Sequence, residues 1–121
     1  MGHVNNTEYL RFMEQIAWHH TTELGLGWDL YQRLNRGMVA RHTEVDYLAP
    51  AFEGENLRIG TWIVQNDGRI SITRRYQIVR ESDSLTLLRG RTRWVCVALD
   101  SGKPRRMPPE FLHGYQITAT E

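Results

Sequence analysis

The sequence predicts an α+β domain in which one long helix lies on one face of a sheet of long antiparallel strands. Three observations carry this reading. Apolar residues near the start recur at helical spacing, the period changes from 3.6 to 2 after Gly37, and turn residues then punctuate long alternating runs.

The helix is expected from about Asn6 to Leu24. Asn5 is a good N-cap, and Glu8 three residues later completes a capping-box-like pair. Tyr9, Leu10, Phe12, Met13, Ile16, Ala17 and Leu24 make a wide apolar stripe, and Gly25 is placed to end it in a left-handed conformation. A short helical turn follows over Trp28 to Leu34, closed by Asn35-Arg36-Gly37.

Strands are expected over Met38 to Tyr47, Leu57 to Val64, Arg69 to Arg80 and Leu85 to Leu99. Leu48-Ala49-Pro50, Asn66-Asp67-Gly68 and Asp100-Ser101-Gly102 stop the first, second and last, and the Asp-Gly pair is a strong hairpin signal. The last three strands form a meander. On the third, Ile70, Ile72, Tyr76 and Ile78 share a face. On the last, Leu88, Gly90, Thr92, Trp94, Cys96 and Ala98 share one, and Arg89, Arg91 and Arg93 lie on the other. Gly90 among larger residues marks the point where the helix crosses the sheet, so the basic face points away from the helix.

The 121 residues make one domain, residues 1–121, with no repeat, linker or low-complexity tract. An apolar share of 40% and a charged share of 24% place the chain among ordinary globular proteins. Cys96 stands alone, so no internal disulfide can form, and its strand setting reads as inert core. There is no long apolar run or leader pattern, so a cytoplasmic protein without a membrane span is expected.

The chemistry concentrates in Gly2-His3-Val4-Asn5-Asn6-Thr7-Glu8-Tyr9-Leu10-Arg11-Phe12, a polar turn feeding the helix. Such an entry offers unpaired backbone N–H groups and the positive end of a helix dipole, which can hold a developing oxyanion. By itself it is also what any capped helix looks like.

This run resembles the signature of the 4-hydroxybenzoyl-CoA thioesterase-like family of hotdog proteins, Asp-x-Met-Gly-His-Val-Asn-Asn followed by Tyr-Leu-Arg and an apolar helix. Val45-Asp46-Tyr47-Leu48-Ala49-Pro50-Ala51 and Gly102-Lys103-Pro104-Arg105-Arg106-Met107-Pro108 extend the resemblance over nearly the whole chain. It implies a hotdog fold, a long central helix wrapped by a curved antiparallel sheet, whose subunits join edge to edge as dimers or tetramers. It implies an acyl-CoA thioester hydrolase with its site between subunits, an oxyanion held by the amide at Asn6, and no cofactor, the CoA being part of the substrate.

The family's carboxylate, usually Asp, would fall two residues before Met1, as would a short first strand. Either the chain is a shortened form of a longer protein, the preferred reading, or it works without that group. On the second reading a non-catalytic subunit that binds acyl-CoA, or serves as a structural partner, becomes the alternative. His3 is the available general base, against a plainer role of ordering the turn. Gly2, Val4, Asn5, Tyr9, Tyr47, Arg105 and Arg106 complete the substrate-binding set, with capping competing for Asn5 and core packing for Tyr9.

Arg74, Arg75, Arg89, Arg91 and Arg93 are expected mostly on a solvated outer face or a subunit contact, as are most of the cations. Trp18, His19 and His20 lie too far down the helix for the chemistry, and His19 and His20 point about 100° apart, so they make no metal pair. No metal site is expected. A net charge of +1 and aromatics that alternate as core residues argue against nucleic acid.

Overall fold

The computed structural model describes residues 6–119. Helix α1 spans Asn6–Glu23, α2 Trp28–Leu34, and strands β1 to β4 span Gly37–Tyr47, Leu57–Asn66, Ser71–Arg80 and Thr86–Val97. A short helix, α3, follows at Pro109–Gly114. The strands form one antiparallel sheet in the order β1-β4-β3-β2, so the expected meander of the last three strands is present and β1 adds to the far side of β4.

The end of α1 follows from its sequence. Gly25 has φ +80°, its N–H bonds the Thr22 carbonyl, and the Leu26 N–H reaches back to the Thr21 carbonyl. This is a Schellman ending, and it sends the buried Leu26 into the core. Asn35, at φ 51°, ends α2 in the same left-handed region.

The β2–β3 hairpin is tighter than alternation suggests. Asp67 Oδ1 accepts the backbone N–H groups of Arg69, Ile70 and Ser71, and Oδ2 accepts the Ser71 hydroxyl. These residues are thereby held in the turn, so β3 starts at Ser71 rather than Arg69. β4 likewise ends at Val97, because Ala98 donates to the Lys103 carbonyl and opens a turn through Gly102 at φ +71°.

Helix α1 lays Tyr9, Met13 and Ala17 on Tyr76, Ile78, Leu87 and Leu88. The crossing point is Gly90, where an added Cβ would sit 2.7 Å from Met13 Cε and 3.4 Å from Tyr76 Cδ2. Glycine is thus required by the closeness of the helix, as the sequence implies. Arg89 and Arg93 stand exposed on the opposite face, also as expected.

A second core cluster forms beyond the helix end, from Leu26, Tyr31, Ile63, Ile72, Cys96, Met107, Phe111 and Tyr115. Its last members come from α3 and its flanks, a helix the sequence reading did not identify. Pro108-Pro109 at the start is the signal that was available, since proline favours the first helical turn.

Gly90→Val is expected to destabilise the protein by about 1–3 kcal/mol through overpacking, with part of the loss recovered when Met13→Ala is added; urea unfolding of the two single variants and the double variant measures this.

The Asp67 turn has its own signature. Partial burial pushes the carboxyl pKa up, but the backbone bonds from Ser71, Arg69 and Ile70 and the Ser71 hydroxyl outweigh it and hold it below 3.8. A depressed carboxylate stabilises the fold above its unfolded value and ceases to do so as pH falls through its folded value. The urea midpoint of the native chain should therefore exceed that of Asp67→Asn near neutral pH, and the gap should close on acidification below about pH 3.8.

Candidate functional site

Helix α1 begins at Asn6, and its first turns are anchored by Tyr9. The Tyr9 side chain is buried, and its hydroxyl oxygen accepts the Ala51 backbone N–H at 3.0 Å. Its ring lies 5.8 Å from that of Tyr47, which is partly exposed at the end of β1. The loop after β1 is thus fastened to the start of the helix. A helix start placed this way offers unpaired N–H donors and the positive end of the dipole to an anion.

Of the residues singled out from sequence, Gly2, His3, Val4 and Asn5 lie outside the described residues, and Asn6 enters as the first residue of α1. Tyr9 and Tyr47 are brought together. Arg105 and Arg106 are exposed on the loop after β4, where the Arg105 N–H bonds the Cys96 carbonyl. Tyr47 instead pairs with Leu88, near the other end of β4, so within one subunit these arginines and the helix start stand at opposite ends of the sheet.

Two cavities run beneath one side of α1. The first, about 270 Å³, is lined by Leu10, Met13 and Glu14 of the helix with Thr43, Tyr76 and Thr92 of the sheet. The second, about 210 Å³, continues toward the helix end under Ala17, Trp18 and Thr21. Glu14 and Trp94 border both. The Trp94 indole Nε1 is buried and faces the Tyr76 hydroxyl.

Arg74 corrects the sequence reading. It does not belong to the solvated outer face: only 2% exposed, it lies on the inner face of β3 between Ile72 and Tyr76. Its Nη1 contacts His20 Nδ1 at 2.8 Å and donates to Thr61 Oγ1 at 3.3 Å, and Nη2 donates to Thr21 Oγ1 at 3.3 Å. Alternation alone could have revealed it, since Ile70, Ile72, Tyr76 and Ile78 already define that face.

The neighbourhood responds to this charge. Burial lowers the His20 pKa and the Arg74 charge lowers it further, keeping the imidazole neutral so that Nδ1 can accept. From Thr21 the polar contacts continue to the Tyr115 hydroxyl at 3.4 Å and on to the Tyr31 hydroxyl at 2.6 Å. Burial raises the pKa of both phenols, so they stay protonated and can share hydrogen bonds. His19 points away, paired with Glu23 at 2.8 Å on the surface. The two histidines therefore face different surroundings, and among the described residues no group of three or more His, Cys, Asp or Glu is placed to hold a metal ion.

With this geometry in place, the chain can be assigned to a family. Residues 1–114 match the thioesterase-like superfamily, and the chain belongs to it. A 1,4-dihydroxy-2-naphthoyl-CoA thioesterase from Synechocystis is similar in structure, with a TM-score of 0.82 at 21% identity, covering 94% of this chain and 83% of that one. A probable thioesterase from Escherichia coli gives a TM-score of 0.78 at 23% identity, over 93% and 84%. A hypothetical protein from Staphylococcus aureus, solved in complex with CoA, gives 0.88 at 13% identity, over 100% and 79%. Likenesses at these identities establish the fold, which is the expected hotdog arrangement of a long helix against one antiparallel sheet. Among curated proteins none matches the chain.

Cys96 is wholly buried, and burial raises its thiol pKa to about 11, with Arg36 pulling weakly the other way. Both access and thiolate fraction are therefore low. At pH 8 the folded protein should react with Ellman's reagent far more slowly than the urea-unfolded chain, whose thiol should label at the rate of a free cysteine.

Proposed function

We propose that the chain is an acyl-CoA thioester hydrolase, releasing free CoA and a carboxylic acid. The observation that carries this reading is the family match over residues 1–114, which includes the start of a long helix seated across a sheet. The relatives with CoA in the crystal or a CoA thioester in their names support CoA as the thiol.

In the proposed reaction the thioester carbonyl sits at the start of α1. Attack by water, or by a carboxylate whose mixed anhydride water then hydrolyses, makes a tetrahedral intermediate whose oxyanion takes the backbone N–H of Asn6. The helix dipole adds to that stabilisation, and the donor is fixed before the charge develops. His3, three residues before Asn6 in the sequence, is proposed as the proton acceptor, an imidazole being the side chain that titrates near neutrality. Collapse of the intermediate expels CoA thiolate, a good leaving group, so no metal or redox cofactor is needed. Subunits are proposed to associate as dimers or tetramers, which would bring a second copy's residues to the site.

A thiol-release assay over a panel of acyl-CoAs tests the activity, and two variants test the mechanism. Asn6→Pro removes one backbone N–H at a position where proline is well tolerated in a helix, and should lower kcat by about 10²–10³. Asn6→Ala keeps that N–H and should retain most of the activity. Equal activity of Asn6→Pro and the native chain would overturn the oxyanion assignment, and an absence of turnover on every acyl-CoA would overturn the hydrolase reading.

A further inference from the structure

The cavity beneath the end of α1 borders a charge, Arg74, that has no counter-charge among the described residues. A guanidinium remains protonated under all ordinary conditions, so Arg74 carries its charge into the interior at 2% exposure. Burying an ion is costly unless an opposite charge or a full set of hydrogen bonds replaces its water. Neither is present. The described partners, His20 Nδ1 and the hydroxyls of Thr21 and Thr61, are all neutral. Arg74 Nε is buried with no hydrogen bond at all.

No carboxylate among the described residues pairs with Arg74. Glu14, which also borders the cavity, is exposed and is not paired with the guanidinium. The charge is thus held by dipoles from one side, while another side borders the cavity of about 210 Å³.

The other walls are apolar or aromatic, chiefly Ala17, Trp18, Met38, Ile72 and Trp94. A cavity of about 150 Å³ is enough to hold a benzene ring, so this one has room for a ring or a short chain together with a carboxylate. It is smaller than the usual range for drug-sized ligands, which limits the occupant to a small molecule.

We propose that this cavity binds a small organic acid, its apolar body between the aromatic walls and its carboxylate on Arg74. A carboxylate supplies the missing charge and accepts from a planar fork, and such charge-assisted bonds are the stronger kind. The hydroxyl series Thr21, Tyr115 and Tyr31 holds Arg74 Nη2 to one side and so orients the fork. Binding of the free acid does not depend on thioester hydrolysis, and this proposal stands or falls apart from the reading above.

The test compares benzoate and hexanoate with benzamide and hexanamide, which match them in shape but carry no charge. Trp18 and Trp94 border the cavity, so their fluorescence reports occupancy, and calorimetry gives the stoichiometry. The acids should bind saturably, one per chain, and about tenfold or more tighter than the amides. Arg74→Gln should abolish the preference, and Arg74→Lys, which keeps the charge without the fork, should retain part of it. Equal affinity for acid and amide, or an undiminished preference in a folded Arg74→Gln protein, overturns the proposal. So does a native chain that shows no saturable binding of either acid. If Arg74→Gln does not fold, the comparison of acid with amide on the native chain decides alone.

Discussion

The close approach of α1 to β4 at Gly90 is the contact on which the rest of the structure depends. A side chain there would meet Met13, so its absence lets the helix descend onto the sheet and press Tyr9, Met13 and Ala17 into the strands. The same descent fixes where the helix begins and ends. Its start is set beside Ala51 and Tyr47, and its finish, turned by Gly25, feeds Leu26 into a separate core with α2 and α3. The two apolar clusters are joined through Trp94, which packs against both.

Between those clusters the helix does not lie flush. The strip from Leu10 to Thr21 leaves space along one side, and that space becomes more polar toward the helix end as Arg74, Thr21 and the Tyr115–Tyr31 pair come in. One helix therefore borders two different electrostatic surroundings. Its first turn offers backbone donors and a dipole, which suit a charge that appears and disappears during a reaction. Its far half overhangs a permanent cation, which suits a charge that stays.

Much of this was legible in the sequence, and the reasons differ by element. The α1 stripe, the Gly25 ending, the short α2 and the inward set on β4 are consequences of periodicity and of single turn residues, which are local properties. The helix-entry motif identified the family because its polar turn and apolar helix are contiguous along the chain. Arg74 was misplaced because its residue type outweighed its position: an arginine reads as surface even where alternation puts it inside. The short α3 was missed because only its proline start is local, while its helical state rests on Phe111 and Tyr115 packing with Leu26 and Tyr31. Arg105 and Arg106 could not be positioned relative to the helix start because that separation depends on the direction of the last strand, which spacing does not encode.

The pairing of the sheet also bears on the order in which the chain assembles. Each β2–β3 and β3–β4 contact joins neighbours across a short turn, one of them organised by a single carboxylate, Asp67. Every β1–β4 contact, from Gly37 opposite Val97 to Tyr47 opposite Leu88, instead closes a loop that contains both intervening strands. Closing longer loops costs more entropy before any contact offsets it, so the meander is the natural nucleus and β1 docks onto an already formed β4. Strand β1, largely exposed and paired along one edge, is then the last strand to join and the first to open. The loop fastened by Tyr9 follows directly from β1, so the enclosure of the helix entrance comes late in folding.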